Sequence, residues 1–504
     1  MTIATKIPAA IPRTFLARSL ATASSVTEKF QSASAAEAPS PALDLSDTQR
    51  LFASVPTSAL LRSLAVLSAM AAGPLVDLST GLLRATAASE GRLLRAAVFG
   101  AARATVNRHF CAGEGVEDAS HAVRAMWHET GLRSILDYGM EDAEDGAACD
   151  HNLAGFQRVV EMASSLPPAS TSVCVKITAL CPISLLERVS DLLRWKQKDP
   201  SFHLPWRTHS FPVLCDSSPL YITPSLPAPL TEAEELELQV ALQRLSTICK
   251  QCQESNIALI IDAEYSSVQP AIDYFTYSAS QEFNHVEQPI VYGTLQTYLR
   301  DSRERMVNAF QAAENEGVSL GLKLVRGAYL TRESKLASSL GVSSPIHGSI
   351  EETHRCFNDC AAFMLQKVGR GHGAVMLATH NVESVKMTVT KAEELGIRKD
   401  DQKLQFAQLM GMADGLSLGL RNAGFQVSKY VPFGPVEEVI PYLLRRAEEN
   451  RGLLSTSKLD RQLMRFTTFS NFHLLIKSNV LLILSCSKHL TSKLPCLIST
   501  GRSS

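Results

Sequence analysis

Apolar runs rich in β-branched residues recur between residues 132 and 433, each closing on a small or polar side chain. They lie at 132–138, 173–180, 257–265, 290–298, 320–329, 374–381, 404–412 and 426–433. Near-continuous hydrophobicity, in place of strict alternation, suits strands covered on both faces, as in a parallel sheet. Between most of them apolar residues fall at helical spacing, at 154–165, 234–255, 303–316, 350–367 and 382–395. Eight alternating units predict an α/β fold, a (β/α)8 TIM-like barrel in preference to an open doubly wound sheet. Such a barrel carries its chemistry at the C-terminal ends of its strands.

The connection after the second run is long. Its Pro- and Ser-rich part, 200–229, reads as loop, and Thr231-Glu-Ala-Glu234 then supplies a capping box for a helix. The range 183–256 is therefore expected to be an insertion, either a lid or a surface decoration. Residues 48–130 predict an N-terminal helical layer packed on a barrel that spans 131–463. Within that layer the apolar run 64–76 lies between Arg62 and Asp77. It is too short to span about 30 Å of hydrocarbon and reads as a docked helix.

Composition narrows the class. With 504 residues, 45% of them hydrophobic and 20% charged, the chain has ample material for one large globular domain with appendages. A net charge of -1 gives no electrostatic reason to expect nucleic acid. The 11 cysteines form neither two CxxC pairs nor Cys/His ligand spacing, so no zinc site or disulfide framework is indicated. Cys249 and Cys252 read as a buried helix face. Met1 to Thr27 carries no acid, while Lys6, Arg13 and Arg18 recur among Ala, Ser and Thr. Residues 1–47 therefore read as a mitochondrial transit peptide and linker. No acidic residue follows Asp460 and the stretch after 472 is nearly apolar, so 464–504 is expected to be an atypical tail.

The predicted strand ends gather polar side chains that core packing does not explain: Asp137, Lys176, Asp262, Gln296, Arg326, Tyr329, His380, Asn381, Gln408, Leu409 and Tyr430 stand at or beside them. Past the last strand, a helix from about Pro441 places Tyr442, Arg445, Arg446 and Glu449 at i, i+3, i+4 and i+7, on one face. That face is either a solvated helix end with internal ion pairs or a receptor for a carboxylate or phosphate, because each guanidinium fork donates two parallel hydrogen bonds. Lys176, Arg445 and Arg446 suit a small carboxylate, and Tyr329, Tyr430 and Tyr442 could enclose a compact apolar body beside Asp262. Glu141-Asp-Ala-Glu-Asp-Gly146 lacks the alternation of a calcium loop and is expected to be surface. No metal ligand cluster and no nucleophile with an adjacent base stands out.

Leu322-Lys-Leu-Val-Arg-Gly-Ala-Tyr-Leu330, Ile261-Asp-Ala-Glu264, Ala378-Thr-His-Asn381, Gln408-Leu-Met-Gly-Met412 and the run Tyr430 to Asn450 closely resemble the proline dehydrogenases. The resemblance extends in order from about residue 110 to 463. It implies an FAD enzyme on a distorted (β/α)8 barrel that oxidises L-proline to 1-pyrroline-5-carboxylate by hydride transfer to flavin N5. It further implies electron transfer to a quinone, with peripheral association at the matrix side of the inner mitochondrial membrane. Carried over, Arg445, Arg446 and Lys176 would hold the proline carboxylate, and Asp262, Tyr329, Leu409, Tyr430 and Tyr442 would form the pocket. Flavin contacts would fall on Gln296, Lys323, Gly327, Ala328, His380, Asn381 and Glu449. Lys323 stands where many bacterial members have arginine, keeping the charge without the planar fork. Tyr430 is smaller in hydroxyproline-oxidising relatives, and its ring would crowd a 4-hydroxyl group. The alternatives are a hydroxyproline dehydrogenase of the same fold and a non-catalytic matrix barrel.

Overall fold

Eight parallel strands close a barrel in chain order: β1 (Arg133–Tyr138), β2 (Thr171–Val175), β3 (Leu259–Ile261), β4 (Val291–Gln296), β5 (Gly321–Val325), β6 (Ala374–Ala378), β7 (Leu404–Leu409) and β8 (Gln426–Phe433). All eight apolar runs thus become strands. The computed structural model describes residues 43–73, 76–77, 81, 92–167, 169–207, 210–212, 223, 225–285, 287–452, 458–471 and 473, apart from the side chains of residues 92 and 448–452. The expected presequence, the middle of the Pro- and Ser-rich loop and most of the expected tail lie outside them.

Register explains where the polar residues sit. β8 returns to β1 with Ile135 opposite Tyr430, and β7 meets β8 with Leu409 opposite Tyr430. Ile135, Cys174, Ile260, Tyr292, Met376, Ala407 and Tyr430 pack together inside the barrel. Their strand neighbours Leu136, Val173, Leu259 and Val431 belong to the layer under the helices. Successive side chains alternate faces, so the next inward positions above the apolar plug are Asp137, Lys176, Asp262, Ala378 and Leu409.

The longer helices among the described residues are α1 (Thr57–Met70), α2 (Arg92–Ala102), α3 (Val116–Thr130), α4 (Gly146–Ser164), α5 (Ile183–Lys198), α6 (Glu232–Glu254), α7 (Gln269–Phe283), α8 (Ser302–Asn315), α9 (Leu330–Ser339), α10 (Ile350–Gly369), α11 (Val382–Glu394), α12 (Asp414–Asn422), α13 (Val436–Gly452) and α14 at 458–471. The capping box forms as expected: Thr231 N donates to Glu234 Oε2 at 2.8 Å and Glu234 N to Thr231 Oγ1 at 3.2 Å. The helix it starts, α6, packs between α4 and α7 in the ring and is the ordinary crossover helix, with Cys249 and Cys252 on its buried face. Only α5 and the segment after it are added to the β2–β3 connection, so the insertion is narrower than 183–256. The pattern missed α7 because it is buried nearly all round and shows no polar stripe.

The N-terminal layer leans on α13. Phe99 and Ala102 of α2 pack with Val436 and Ile440, and Met70 and Val76 join the cluster containing Tyr442, Leu443 and Ala447. At the other end, Leu463 and Met464 of α14 are buried with Leu51 and Leu416. Asp460 accepts from the N–H groups of Asp414 and Gly415, both at 3.2 Å, satisfying the first turn of α12. The barrel body therefore continues past 463, and Met464, Thr467 and Thr468 are core rather than tail. No helix among the described residues is long and apolar enough to cross a membrane.

Candidate active site

The inward positions at the strand ends form two ion pairs in the barrel throat. Lys176 Nζ donates to Asp137 Oδ1 at 2.8 Å, both side chains being buried. Lys323, from β5, pairs with Asp262, whose other oxygen accepts from Tyr430 Oη at 2.7 Å. The Lys323 ammonium also lies 5.1 Å from the Tyr430 ring centroid. Burial pushes the Asp262 carboxyl up, but Lys323 and Lys176 outweigh it and bring it down to about 2. Asp137, Cys174 and Asp262 offer ligand atoms within 4.8 Å of one another. With an ammonium on each carboxylate, this trio is an ion-pair network rather than a cation cage.

A second group stands at the rim. Arg445 of α13 reaches across to Glu141 in the β1–α4 loop with both fork nitrogens, at 3.1 and 3.2 Å. Its guanidinium lies 5.3 Å from the Tyr329 ring centroid. Arg446, only 4% exposed, lies 4.7 Å from the Tyr442 ring. Burial would raise the Glu141 carboxyl, but Arg445 and Lys176 hold it below its usual range. Asp142 accepts from Tyr265 Oη at 3.0 Å. Beneath them Glu264 accepts from Thr178 Oγ1 at 2.8 Å. Burial, reinforced by Glu141, pushes its carboxyl up to about 8, so it is protonated at neutral pH.

Across the mouth, the β5–α9 turn carries Arg326, Gly327 and Ala328. Arg326 donates to His354 Nδ1, Thr379 Oγ1 and Ser384 Oγ at 2.9, 2.6 and 2.7 Å and lies 4.3 Å from the Phe357 ring. Every partner is neutral, and burial lowers its pKa to about 10. A half-buried guanidinium with no carboxylate beside it among the described residues suits an anion. Gly327 has φ +144, and a Cβ there would meet the Tyr298 ring at 2.4 Å, so only glycine lets this turn pass. Gln296 Oε1 accepts from Ala328 N at 3.4 Å, and its Nε2 donates to Glu264 O at 2.7 Å. His380 Nε2 accepts from Leu409 N at 3.1 Å. Burial and the cations Lys429, Arg446 and Arg326 lower it to about 3, so the imidazole is neutral. Asn381 caps α11 through Ser384 N at 2.9 Å.

The structure thus gathers Lys176, Asp262, Tyr329, Leu409, Tyr430, Tyr442, Arg445 and Arg446 at one mouth, with Gln296, Lys323, Gly327, Ala328 and His380 on adjoining strands. Lys323 belongs with Asp262 and Tyr430, and the Asn381 side chain is occupied as a helix cap. The Glu449 side chain lies outside the described residues. Sequence reasoning missed the roles of four residues. Glu141 and Asp142 were expected on a surface loop but stand at the rim, where Glu141 takes the Arg445 fork. Asp137 and Arg326 were visible at strand ends, and unassigned charge at those positions was the signal available.

The family model described as proline dehydrogenase matches residues 119–459. The chain is 54% identical over 426 residues to "Proline dehydrogenase 1, mitochondrial" of Arabidopsis thaliana, covering 84% of this chain and 85% of that protein. It is 34% identical over 426 residues to "Hydroxyproline dehydrogenase" of Homo sapiens, covering 81% and 89%. Among solved structures it is similar to proline utilization A from Bdellovibrio bacteriovorus inactivated by N-propargylglycine, with a TM-score of 0.59 and 17% identity over 84% of this chain. The chain spans less than half of that protein, 44%, and the likeness concerns the fold.

Proposed function

The chain belongs to the proline dehydrogenase family and is an oxidoreductase acting on proline; from that premise we propose that the mouth of its barrel takes L-proline to 1-pyrroline-5-carboxylate with FAD as the resident cofactor. The observation that carries the site is the pair Arg445 and Arg446, held on α13 over Lys176 and the Tyr430–Asp262 hydrogen bond. Arg445 and Lys176 both face Glu141, Arg446 follows Arg445 on the same helix, and Lys176 and Arg445 hold the carboxylates of Asp137 and Glu141. An incoming carboxylate therefore competes with Glu141 for the Arg445 fork. Tyr329 and Tyr442 line the entry, and Leu409 and Tyr430 close the floor.

The donor set fits a flavin dinucleotide. Arg326, ringed by neutral partners, suits the diphosphate; Gly327 and Ala328 give close backbone approach; Gln296, Lys323, His380 and Asn381 adjoin, and Glu449 is proposed on the same side. When bound, FAD would supply two-electron acceptance for the hydride that leaves the ring carbon next to the proline nitrogen. The protein's own part is orientation: Arg445, Arg446 and Lys176 fix the carboxylate, while Asp262, held ionised, balances charge above the apolar plug. Neutral His380 and protonated Glu264 add no net charge to the pocket.

Tyr430 favours proline over its 4-hydroxylated analogue. Its ring is 9% exposed and its hydroxyl is committed to Asp262, leaving a wall where a 4-hydroxyl would project. The mitochondrion is the proposed compartment, since the plant relatives carry that word in their names. The proposed final acceptor is a quinone at the matrix side of the inner membrane, reached by peripheral association. Initial rates of the flavin-loaded protein on L-proline and on 4-hydroxy-L-proline, with a quinone acceptor, test the reading. Proline should be used at least about tenfold better, the discrimination one polar group in a fitted pocket provides. Equal rates, or none on proline, would overturn it.

A further inference from the structure

After Arg92, α2 reads Leu-Leu-Arg-Ala-Ala-Val-Phe-Gly-Ala-Ala from Leu93 to Ala102, with Arg95 the one polar side chain of that stretch. Only part of that surface is covered. Phe99 and Ala102 are buried against Val436 and Ile440 of α13, with Val98 beside them. Leu93 is 89% and Leu94 50% exposed, and Ala96, Ala97, Gly100 and Ala101 are also exposed. Among the described residues nothing lies within 4 Å of a Cβ built at Gly100. A helix on a protein surface ordinarily turns polar residues outward, and this one turns out almost none.

Charge says what could cover it. Between Asp77 and Glu114 the chain carries Arg84, Arg92, Arg95, Arg103 and Arg108 against the single acid Glu90, a local excess of four positive charges. Arg103 is tied to Glu114 and Glu437. Arg95 lies 5.6 Å from the Phe99 ring, at the border between the covered and the bare face. An apolar helical face bordered by arginines is the pattern of a helix that lies in the plane of an anionic lipid surface, its leucines below the headgroups.

We propose that the exposed face of α2 docks the protein on a bilayer bearing anionic phospholipid. The opposite face of the same helix backs α13, the helix of Tyr442, Arg445 and Arg446, so docking sets the barrel's proline end against the lipid surface. The inference deepens the quinone reading above and rests on it only for what the contact is for.

Flotation of the full chain with phosphatidylcholine vesicles, with and without cardiolipin, tests the surface, using wild type and the double substitution Leu93→Glu with Leu94→Glu. These side chains are exposed, so the fold should not depend on them. Proline oxidation with a soluble dye acceptor should be unchanged in the variant. Its partitioning to cardiolipin vesicles should fall about tenfold or more, and its rate with a vesicle-borne quinone should fall in step. Leu236→Glu with Val240→Glu, a second exposed apolar pair on α6, should leave flotation as in wild type. Equal flotation of the α2 variant and wild type would overturn the proposal. So would a variant altered only in self-association, which would assign the face to a second copy of the chain. Wild-type protein that floats in an α2-dependent manner yet reduces no quinone would uphold the surface and refute the acceptor.

Discussion

The barrel throat and the barrel rim both hold a cation against a carboxylate, yet they are built for different tasks. In the throat, Lys176–Asp137 joins the ends of the adjacent strands β2 and β1, and Lys323–Asp262 reaches from β5 past β4 to the end of β3, so the ladder fixes both positions. At the rim, Arg445 and Glu141 come from a helix and a loop 304 residues apart in sequence, with side chains 18% and 15% exposed. A throat pair that loses a partner leaves a charge buried, whereas a rim pair can exchange its carboxylate for another and return the first to water. The contrast teaches that strand-borne charge sets the standing electrostatics of the site, while helix- and loop-borne charge is available for substrate.

Four substitutions probe that contrast. Asp262→Ala should have the largest effect, because it strands the Lys323 ammonium and the Tyr430 hydroxyl together. Denaturant unfolding should show a loss of about 3–5 kcal/mol, with proline oxidation falling as well; a loss near zero would merge throat with rim. Arg446→Met should raise the KM for L-proline about tenfold or more, the scale of one charge-assisted hydrogen bond of about 1.5–3 kcal/mol. An unchanged KM would remove Arg446 from the carboxylate clamp.

The third concerns pH. Glu264 is raised to about 8 from 4.5 in the folded state, so the folded chain binds the proton that the unfolded chain has released. Its stabilising contribution is present at low pH and is lost as pH rises through about 8. Between pH 7 and 9 this amounts to about 1.4 kcal/mol, and Glu264→Gln should flatten the stability profile by that amount. Equal slopes for the two proteins would show that the group is ionised in the fold. Glu141→Gln should have the smallest effect: stability within about 1 kcal/mol of wild type, and a KM for proline that falls by no more than about fivefold as the Arg445 fork is released. A rise in KM would mean that Glu141 positions Arg445 rather than competing for it.

The barrel was legible because strands covered on both faces leave continuous apolar runs, and all eight runs became strands. Helices such as α7 and α12 were not, since a helix buried nearly all round, or one only 9 residues long, carries no clear stripe. Arg445 and Arg446 could be read as a clamp because helical spacing puts them on one face. Glu141 could not, because its partner lies on the far side of the ring closure, and a run of acids looks the same whether it meets water or an arginine. The expected end of the body at 463 failed for a similar reason. Asp460 looked like the last charge before a tail, but it satisfies the first turn of α12 and draws α14 onto the core.

Anaerobic titration of flavin-loaded protein with L-proline, in wild type and Arg446→Met, tests the central claim most directly. Wild type should bleach its flavin stoichiometrically, and the variant should reach the same end point at about tenfold higher proline. Flavin that stays oxidised in wild type at saturating proline would contradict the proposed site.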